Sequence, residues 1–350
     1  MRSPMPVFAL VTLLPLPLIA LAATVGGAVS ALALAYMTLI AAALDELVAL
    51  ALPEAEDRAE FPAADGLSVA LALGHFALLA LAVAALAGDW LGAAEKLALF
   101  GAAGLFFGQL SNANAHELIH RPGRRLRGLG RWVYISLLFG HHASAHPLVH
   151  HVRVATRADP NSARPGEGYY RFAARAWRGS FREGLRAETA RLERAGRPRW
   201  RHPYLVYGAG AAACLAAAAL LGGWPGLAAL LSLALFAQSQ LLLSDYVQHY
   251  GLTRATGPNG RPEPVAARHS WNAPHWFTSA LMLNAPRHSD HHAHPARPFP
   301  ALRLAPEAPM LPRSLPVMAV LALSPPHWRR VMDPRAARWR AARPADLAAE

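Results

Sequence analysis

LFGAAGLFFGQLSNANAHELIHRPGRRLRG, residues 99–128, is the stretch that decides how this chain is read. No charge interrupts it from Leu99 to Ala115; it then meets His116-Glu117-Leu118-Ile119-His120 and breaks into arginines from Arg121. Histidines at i and i+4 share one helix face, so an apolar helix running into this motif carries two imidazoles at its end. Three further clusters follow: His146, His150 and His151 in HPLVHH, His249 in QHYG, and His288, His291 and His292 in HSDHH. Neutral imidazole is the commonest nitrogen ligand for zinc, copper, iron and nickel. Nine such histidines beside apolar segments point to a metal centre of more than one ion, held at a membrane surface.

Composition supports a membrane setting. The 350 residues are 54% hydrophobic and 16% charged, against about 25% charged in ordinary soluble domains. At 1.5 Å per residue, a window of roughly 20 apolar residues crosses a bilayer. Six windows qualify, at 7–24, 28–44, 67–87, 97–112, 204–222 and 226–243. The chain therefore reads as all-α, a polytopic membrane protein forming a single embedded domain over 1–350. Arg2 followed by an apolar run resembles a signal peptide, but a second apolar run follows at once and Pro15 and Pro17 interrupt the first. A transmembrane hairpin is expected there rather than a cleaved leader.

Charge placement predicts orientation. The turns near 23–27, 88–95 and 222–226 carry no Lys or Arg, whereas arginines crowd 121–131, 153–201, 254–303 and the C-terminal tail. The positive-inside rule then puts the histidine-bearing segments 113–203 and 244–303 in the cytoplasm, with the protein in the cell inner (cytoplasmic) membrane. All four clusters reach one face. This bias also explains the net charge of +12, so nucleic acid is not expected as a partner; anionic membrane lipids or an acidic soluble protein are. Lys96 is the single lysine and Cys214 the single cysteine. No disulfide framework, CxxC zinc ribbon or cysteine-ligated iron–sulfur site can be built from one thiol, so any electron-transfer partner is expected to be a separate protein or to use a different cofactor.

Between the spans, 132–139 is apolar but too short to cross and is expected to be interfacial or re-entrant. Phe172, Trp177, Phe181, Leu185 and Leu192 recur at near-helical spacing among arginines, which predicts an amphipathic helix over 171–199. The region after Gly251 is rich in Pro and Gly, and the proline-broken run 311–323 is too short for a span. Gly101, Ala102, Ala103, Gly104 and Gly108 suit close helix packing.

HELIH also fits the HExxH pattern of zinc proteases, but one zinc takes about four ligands, which leaves the other seven histidines without a task. Neighbouring residues on a helix project about 100° apart, so each HH pair can address two metals or two sides of one. His141 and His142 stand in reserve, since His142 and His146 are also ligand-spaced. A histidine-rich metal transporter should place ionisable groups at mid-span; His75 alone among the histidines lies well inside a span.

Taken together, HELIH, the run HHVRVATRADPNSAR at 150–164, DYVQHYGL at 245–252, and HSWNAPHW followed by RHSDHH within 269–292 resemble the membrane alkane 1-monooxygenases. These are grouped with the fatty-acid desaturases and hydroxylases that bind two irons through histidine. The resemblance covers about 116–298. Desaturases share the HxxxH and HxxHH boxes but not the HYG signature or the NSAR run. It implies that His116, His120, His146, His150, His151, His249, His288, His291 and His292 bind two iron ions as a non-haem di-iron centre. It implies hydroxylation of the terminal carbon of an apolar aliphatic substrate drawn from the bilayer, using O2 and two electrons from rubredoxin or ferredoxin with its reductase. The alternatives are a fatty-acid desaturase and a hydroxylase of other lipids or methyl-aromatics.

Three positions depart from the family pattern. An acidic residue usually precedes the first histidine of the second box, glycine its HH pair, and Asn opens the HYG signature; here Ala145, Val149 and Asp245 stand there. Altered neighbours can retune a metal or its substrate preference. An all-imidazole ligand set leaves metal charge uncompensated, so carboxylates are expected close by to fix the imidazole tautomers. Glu117, Asp159, Asp245, Glu263 and Asp290 are the candidates.

Overall fold

A computed structural model describes residues 4–48, 54, 61–257 and 259–341. Among these residues every regular element is a helix, and pairing of extended chain is confined to two isolated bridges, Thr256 with Pro262 and Asn272 with Met310. Four helices are long and apolar enough to cross a membrane: Met5–Val25 (α1), Ala28–Leu47 (α2), Pro62–Ala87 (α3) and Pro203–His249 (α8). Pro15 does not end α1, because Leu14 before it keeps helical angles and the proline opens the next stretch, Pro15–Val25, where its missing N–H costs nothing. The hairpin between α1 and α2 turns on Gly26 and Gly27, with φ of 70° and 61°, the left-handed region that favours glycine. Glu95 fastens this turn to the next one: its carboxylate accepts from Gly27 N at 2.5 Å and from Gly92 N at 2.6 Å.

The fourth expected span lies within α4, a helix over 93–120 built from Ala93–Leu105, the π-helical turn Phe106–Ser111 and Asn112–His120. Its small residues serve packing. A Cβ on Gly104 would stand 2.7 Å from the Phe236 ring, and one on Gly108 2.6 Å from Gln240 Cβ, so α4 and the second half of α8 approach closely. The fifth and sixth expected spans form α8, 47 residues broken at Gly222 and Gly223, the latter at φ 59°. Unbroken, α8 would extend about 70 Å, more than twice the roughly 30 Å of bilayer hydrocarbon. Pro225 follows the break, where a first-turn proline is tolerated.

Shorter helices gather at the end of the bundle where α4 and α8 finish. Arg124–Ser136 (α5) doubles back on α4 so tightly that a Cβ on Gly130 would lie 2.8 Å from Ala115 O. Of the segment expected at 132–139, Trp132 is exposed, Val133 to Ser136 form the buried end of α5, and Leu137 and Phe139 continue the burial beyond it. Three short stretches over 142–153, His142–Ala145, His146–His150 and His151–Arg153, form α6. The amphipathic helix expected at 171–199 is Tyr169–Arg194 (α7), held to α8 by Trp177 Nε1 donating to Gln238 Oε1 at 2.9 Å. Trp276–Leu281 (α9), His288–Ala293 (α10), Leu315–Ala322 (α11) and Pro325–Ala341 (α12) complete the chain.

Asp45 joins the apolar bundle to this polar end. Buried near the end of α2, it accepts from the backbone N–H groups of Phe277 at 3.0 Å and Thr278 at 3.1 Å, capping α9 across 232 residues of sequence. Orphan donors at a helix start favour a carboxylate. Asp45→Ala should cost about 1–3 kcal/mol by leaving both donors unpaired, read as a lower unfolding temperature in detergent. An unchanged unfolding temperature would show that this tether contributes nothing.

Candidate metal centre

All nine predicted histidines converge, and they do so in two groups. In one, His116, His120, His146, His151 and His291 each offer a nitrogen, all within 4.8 Å of one another; in the other, His150, His249, His288 and His292 do the same. Both HH pairs are divided, His150 from His151 and His291 from His292. The helices explain the division. HELIH is α-helical, so His116 and His120 share a face, and His288 and His292 do likewise in α10. His146–His150 is instead a π-helical turn, closed by His151 N donating to His146 O. An i→i+5 turn stacks His151, not His150, over His146, and His150 swings to the second group.

The nitrogens crowd more closely than pairing of donor with acceptor can satisfy throughout, since a neutral ring nitrogen offers either one N–H or one lone pair. His146 Nε2 lies 2.8 Å from His116 Nε2 and 2.9 Å from His151 Nε2, while His151 Nε2 lies 3.1 Å from His291 Nε2. In the second group His288 Nε2 stands 2.9 Å from His249 Nε2 and 3.1 Å from His292 Nε2. His120 Nε2 and His150 Nε2 are buried with no protein partner. Metal–nitrogen bonds of about 2.0–2.1 Å set at right angles put nitrogens about 3 Å apart, so the donor set fits one metal ion in each group. Burial first, then the neighbouring imidazoles, hold His116, His146, His151, His291 and His292 far below the ordinary histidine range. The same causes bring His120 down to about 4 and His288 to about 3. These rings are therefore neutral at pH 7, the form that ligates.

His150 is the exception. Burial pulls it down, but the charge and hydrogen bond of Asp159, with Asp245 behind, carry it above the ordinary range. Its Nδ1–H donates to Asp159 Oδ2 at 2.8 Å, which leaves Nε2 free for a metal. The ADPNSAR run exists to hold that carboxylate. Ser162 Oγ donates to Asp159 Oδ2 at 2.7 Å, Asn161 N to Oδ1 at 3.1 Å, and Asn161 Nδ2 passes the network on to Asp245 Oδ2 at 2.7 Å. Among the described residues Asp159 alone of the five candidate carboxylates hydrogen-bonds one of the nine. Glu117, raised to about 7 by burial against the pull of Arg121, meets Arg121 and Phe299 N. Glu263 pairs with Arg268 and His269, and Asp290 with His294 and Arg297.

Support for His249 comes from residues that sequence spacing did not single out. Ser270 Oγ is 3.4 Å from His249 Nδ1. The following turn is clamped by α12: Tyr250 Oη donates to Asp333 Oδ1 at 2.5 Å, and Arg340 Nη1 donates to Gly251 O at 2.7 Å. Trp328 of the same helix is wholly buried against Tyr246 and Tyr250. His141 and His142 join neither group; His142 stacks on Phe139 at 5.3 Å, and His141 packs edge-on against Trp177 and Phe181. Ala145 and Val149 are buried on the metal-bearing turn, Ala145 in contact with Gly184 of α7. Asp245 instead lines a narrow cavity of about 50 Å³ with His116, His146, His288, Gln109 and Tyr134. That cavity touches both groups.

Residues 89–321 match the family model described as fatty acid desaturase. Alkane 1-monooxygenase 1 of Pseudomonas aeruginosa is 35% identical over 263 residues, 75% of this chain and 68% of that protein. Alkane 1-monooxygenase 2 of the same organism is 35% identical over 249 residues, 71% of this chain and 65% of its own length. The xylene/toluene monooxygenase hydroxylase component of Pseudomonas putida is 28% identical over 226 residues, 61% and 57% of the two chains. The chain thus spans about two thirds or less of the length of these relatives. α12 lies beyond the residues matched by the family model.

Two substitutions separate the supports of the second group. Asp159→Ala should weaken its metal affinity about 10–100-fold and leave the first group loaded, as measured by metal titration. Equal affinity in the variant would mean that His150 is oriented by something else. Asp333→Ala should loosen the Tyr250 turn and raise metal dissociation from the second group several-fold at unchanged first-group occupancy. An unaltered dissociation rate would reduce α12 to packing alone.

Proposed function

This chain belongs to the alkane 1-monooxygenases of the fatty acid desaturase family, and we propose that it is an integral-membrane non-haem di-iron monooxygenase hydroxylating the terminal carbon of an aliphatic chain. It is an oxidoreductase with a histidine-bound metal centre in a membrane protein. The observation that carries the proposal is the pair of all-imidazole groups, five and four nitrogens strong, opening on one narrow cavity. In overall balance, R–H, O2, two electrons and two protons give R–OH and water. Two iron ions held by the nine histidines would supply the oxidising power for O2 activation and an unactivated C–H bond, which no side chain can provide.

The chain's own residues prepare that chemistry. Burial holds the imidazoles other than His150 below the ordinary histidine range, and Asp159 keeps the His150 proton on Nδ1 so that Nε2 faces the centre. The small volume of the cavity, about 50 Å³, suits a slender group. Its wall carries Gln109 and Asp245 as well as Leu241 and Met282. That mixed wall, with the likeness to the xylene/toluene hydroxylase component, supports a second reading in which the oxidised carbon is a methyl group on an aromatic ring. Electrons would come from rubredoxin or ferredoxin with its reductase. A cell inner membrane location with the histidines facing the cytoplasm is supported by the arginine-free turns at 23–27 and 222–226 and the arginine-rich segments beside the metal centre.

The purified protein should hold two irons per chain. With rubredoxin, its reductase, NADH and O2, it should convert alkanes to primary alcohols. Alkenes from fatty acids would mark a desaturase and benzylic alcohols a methyl-aromatic hydroxylase; a single zinc would overturn the di-iron assignment. Chelation should abolish turnover, and iron should restore it.

A further inference from the structure

A second opening reaches the metal centre, and it differs in kind from the narrow cavity. It is a groove of about 1010 Å³ between α5, α6 and α7, with the metal-binding His120 in its lining. Arg121, Arg124, Arg127, Arg131, Arg191 and Arg197 line it against one carboxylate, Glu188. Glu188 is already engaged, accepting from Ser144 Oγ at 2.7 Å and lying 3.7 Å from Arg191. Arg121 is paired with Glu117 and Asp65. Arg124, Arg131 and Arg197 have no carboxylate partner among the described residues, and Arg124, Arg127, Arg191 and Arg197 are exposed.

We propose that this groove is the docking surface for an acidic electron-donor protein, which passes electrons to the metals through the His120 side. The inference rests on the hydroxylase assignment above, which consumes two electrons per O2. These residues, with Cys214 their single cysteine, build no cysteine-bound relay, so a donor of electrons needs a surface from which it can approach a metal ligand. The narrow cavity is too small for that and suits substrate. The groove is wide, strongly positive and has the partly buried His120 in its lining. Unpaired like charges around a recess steer an oppositely charged partner and set its orientation. Each encounter delivers one electron from the reduced donor, which leaves oxidised; two encounters supply the pair required with two protons to turn R–H and O2 into R–OH and water.

The test uses the full chain in nanodiscs of zwitterionic lipid and an acidic rubredoxin as probe. Binding should weaken at least about tenfold between low and physiological salt, as screening over roughly 8 Å requires. Arg124→Glu and Arg197→Glu, both at exposed positions, should each raise the rubredoxin Kd about tenfold. Arg182→Glu, exposed on α7 outside the groove, should not. Metal content and turnover driven by dithionite should match wild type in all three, which shows that the variants are folded and isolates the docking step. Unchanged rubredoxin affinity in both groove variants, or equal loss in Arg182→Glu, overturns the docking surface. So does a result in which the groove variants lose only their preference for anionic lipid, since the arginines would then serve the membrane. Absence of dithionite-driven hydroxylation in the wild type sinks the function instead, whatever rubredoxin binding shows.

Discussion

Nine imidazole nitrogens crowded into two groups, each within 4.8 Å, impose the constraint on which this protein is built. Side chains alone cannot satisfy such an arrangement. Neutral histidines meeting Nε2 to Nε2 at 2.8–3.1 Å cannot all share protons, and protonating them would put several positive charges in a space closed to water. Cations placed between the rings resolve both problems. The metal centre is therefore as much a condition of packing for the polar end of the bundle as a source of chemistry, and the helices around it are arranged to hold the rings in place when the backbone would otherwise relax.

Support is unequal between the two groups. The first draws His116 and His120 from a long helix that packs along α8 and α5, so its scaffold is the bundle itself. The second depends on smaller devices: the Asp159 carboxylate held by Asn161 and Ser162, Ser270 beside His249, and a terminal helix that grips the turn after His249 through Asp333 and Arg340. Shorter elements open more easily than long packed helices. The contrast divides the centre into a rigid half and a half whose geometry answers to residues far along the chain. Asp245 stands where these supports meet the cavity, hydrogen-bonded to Asn161 on one side and lining the narrow space on the other. An acidic group at that position therefore connects the Asp159 network to the cavity wall.

Two approaches to the centre have opposite character. One is narrow and lies among residues of α4 and α8 inside the bundle; the other is broad, arginine-lined and built from the helices beyond it. A hydroxylation that draws on an apolar molecule and on a supply of electrons is served by two such environments beside the same histidines. A helix bundle whose apolar length ends in a polar cap brings the two together.

Much of this was legible in the residues themselves. Apolar windows marked the helices because a bilayer demands about 20 uncharged positions, and the gaps between windows placed the turns at 23–27 and 222–226. The histidine clusters stood out by residue type and spacing, but the set of nine, with His249 in it and His141 and His142 outside it, came from the resemblance to the alkane 1-monooxygenases. Asp159 could be nominated as a neighbouring carboxylate, but so could Glu117, Asp245, Glu263 and Asp290, and spacing offers no means of choosing among them. Which histidine joins which group was likewise hidden: HPLVHH reads as an i, i+4 pair, whereas the π turn closing from His151 to His146 pairs i with i+5. That turn, the reach of Asp45 across 232 residues, the grip of Asp333 on Tyr250 and the arginine groove all join positions distant in the chain. Local pattern determines which faces are apolar and which side chains can bind a metal. Only the packing of one helix against another decides which of those side chains meet.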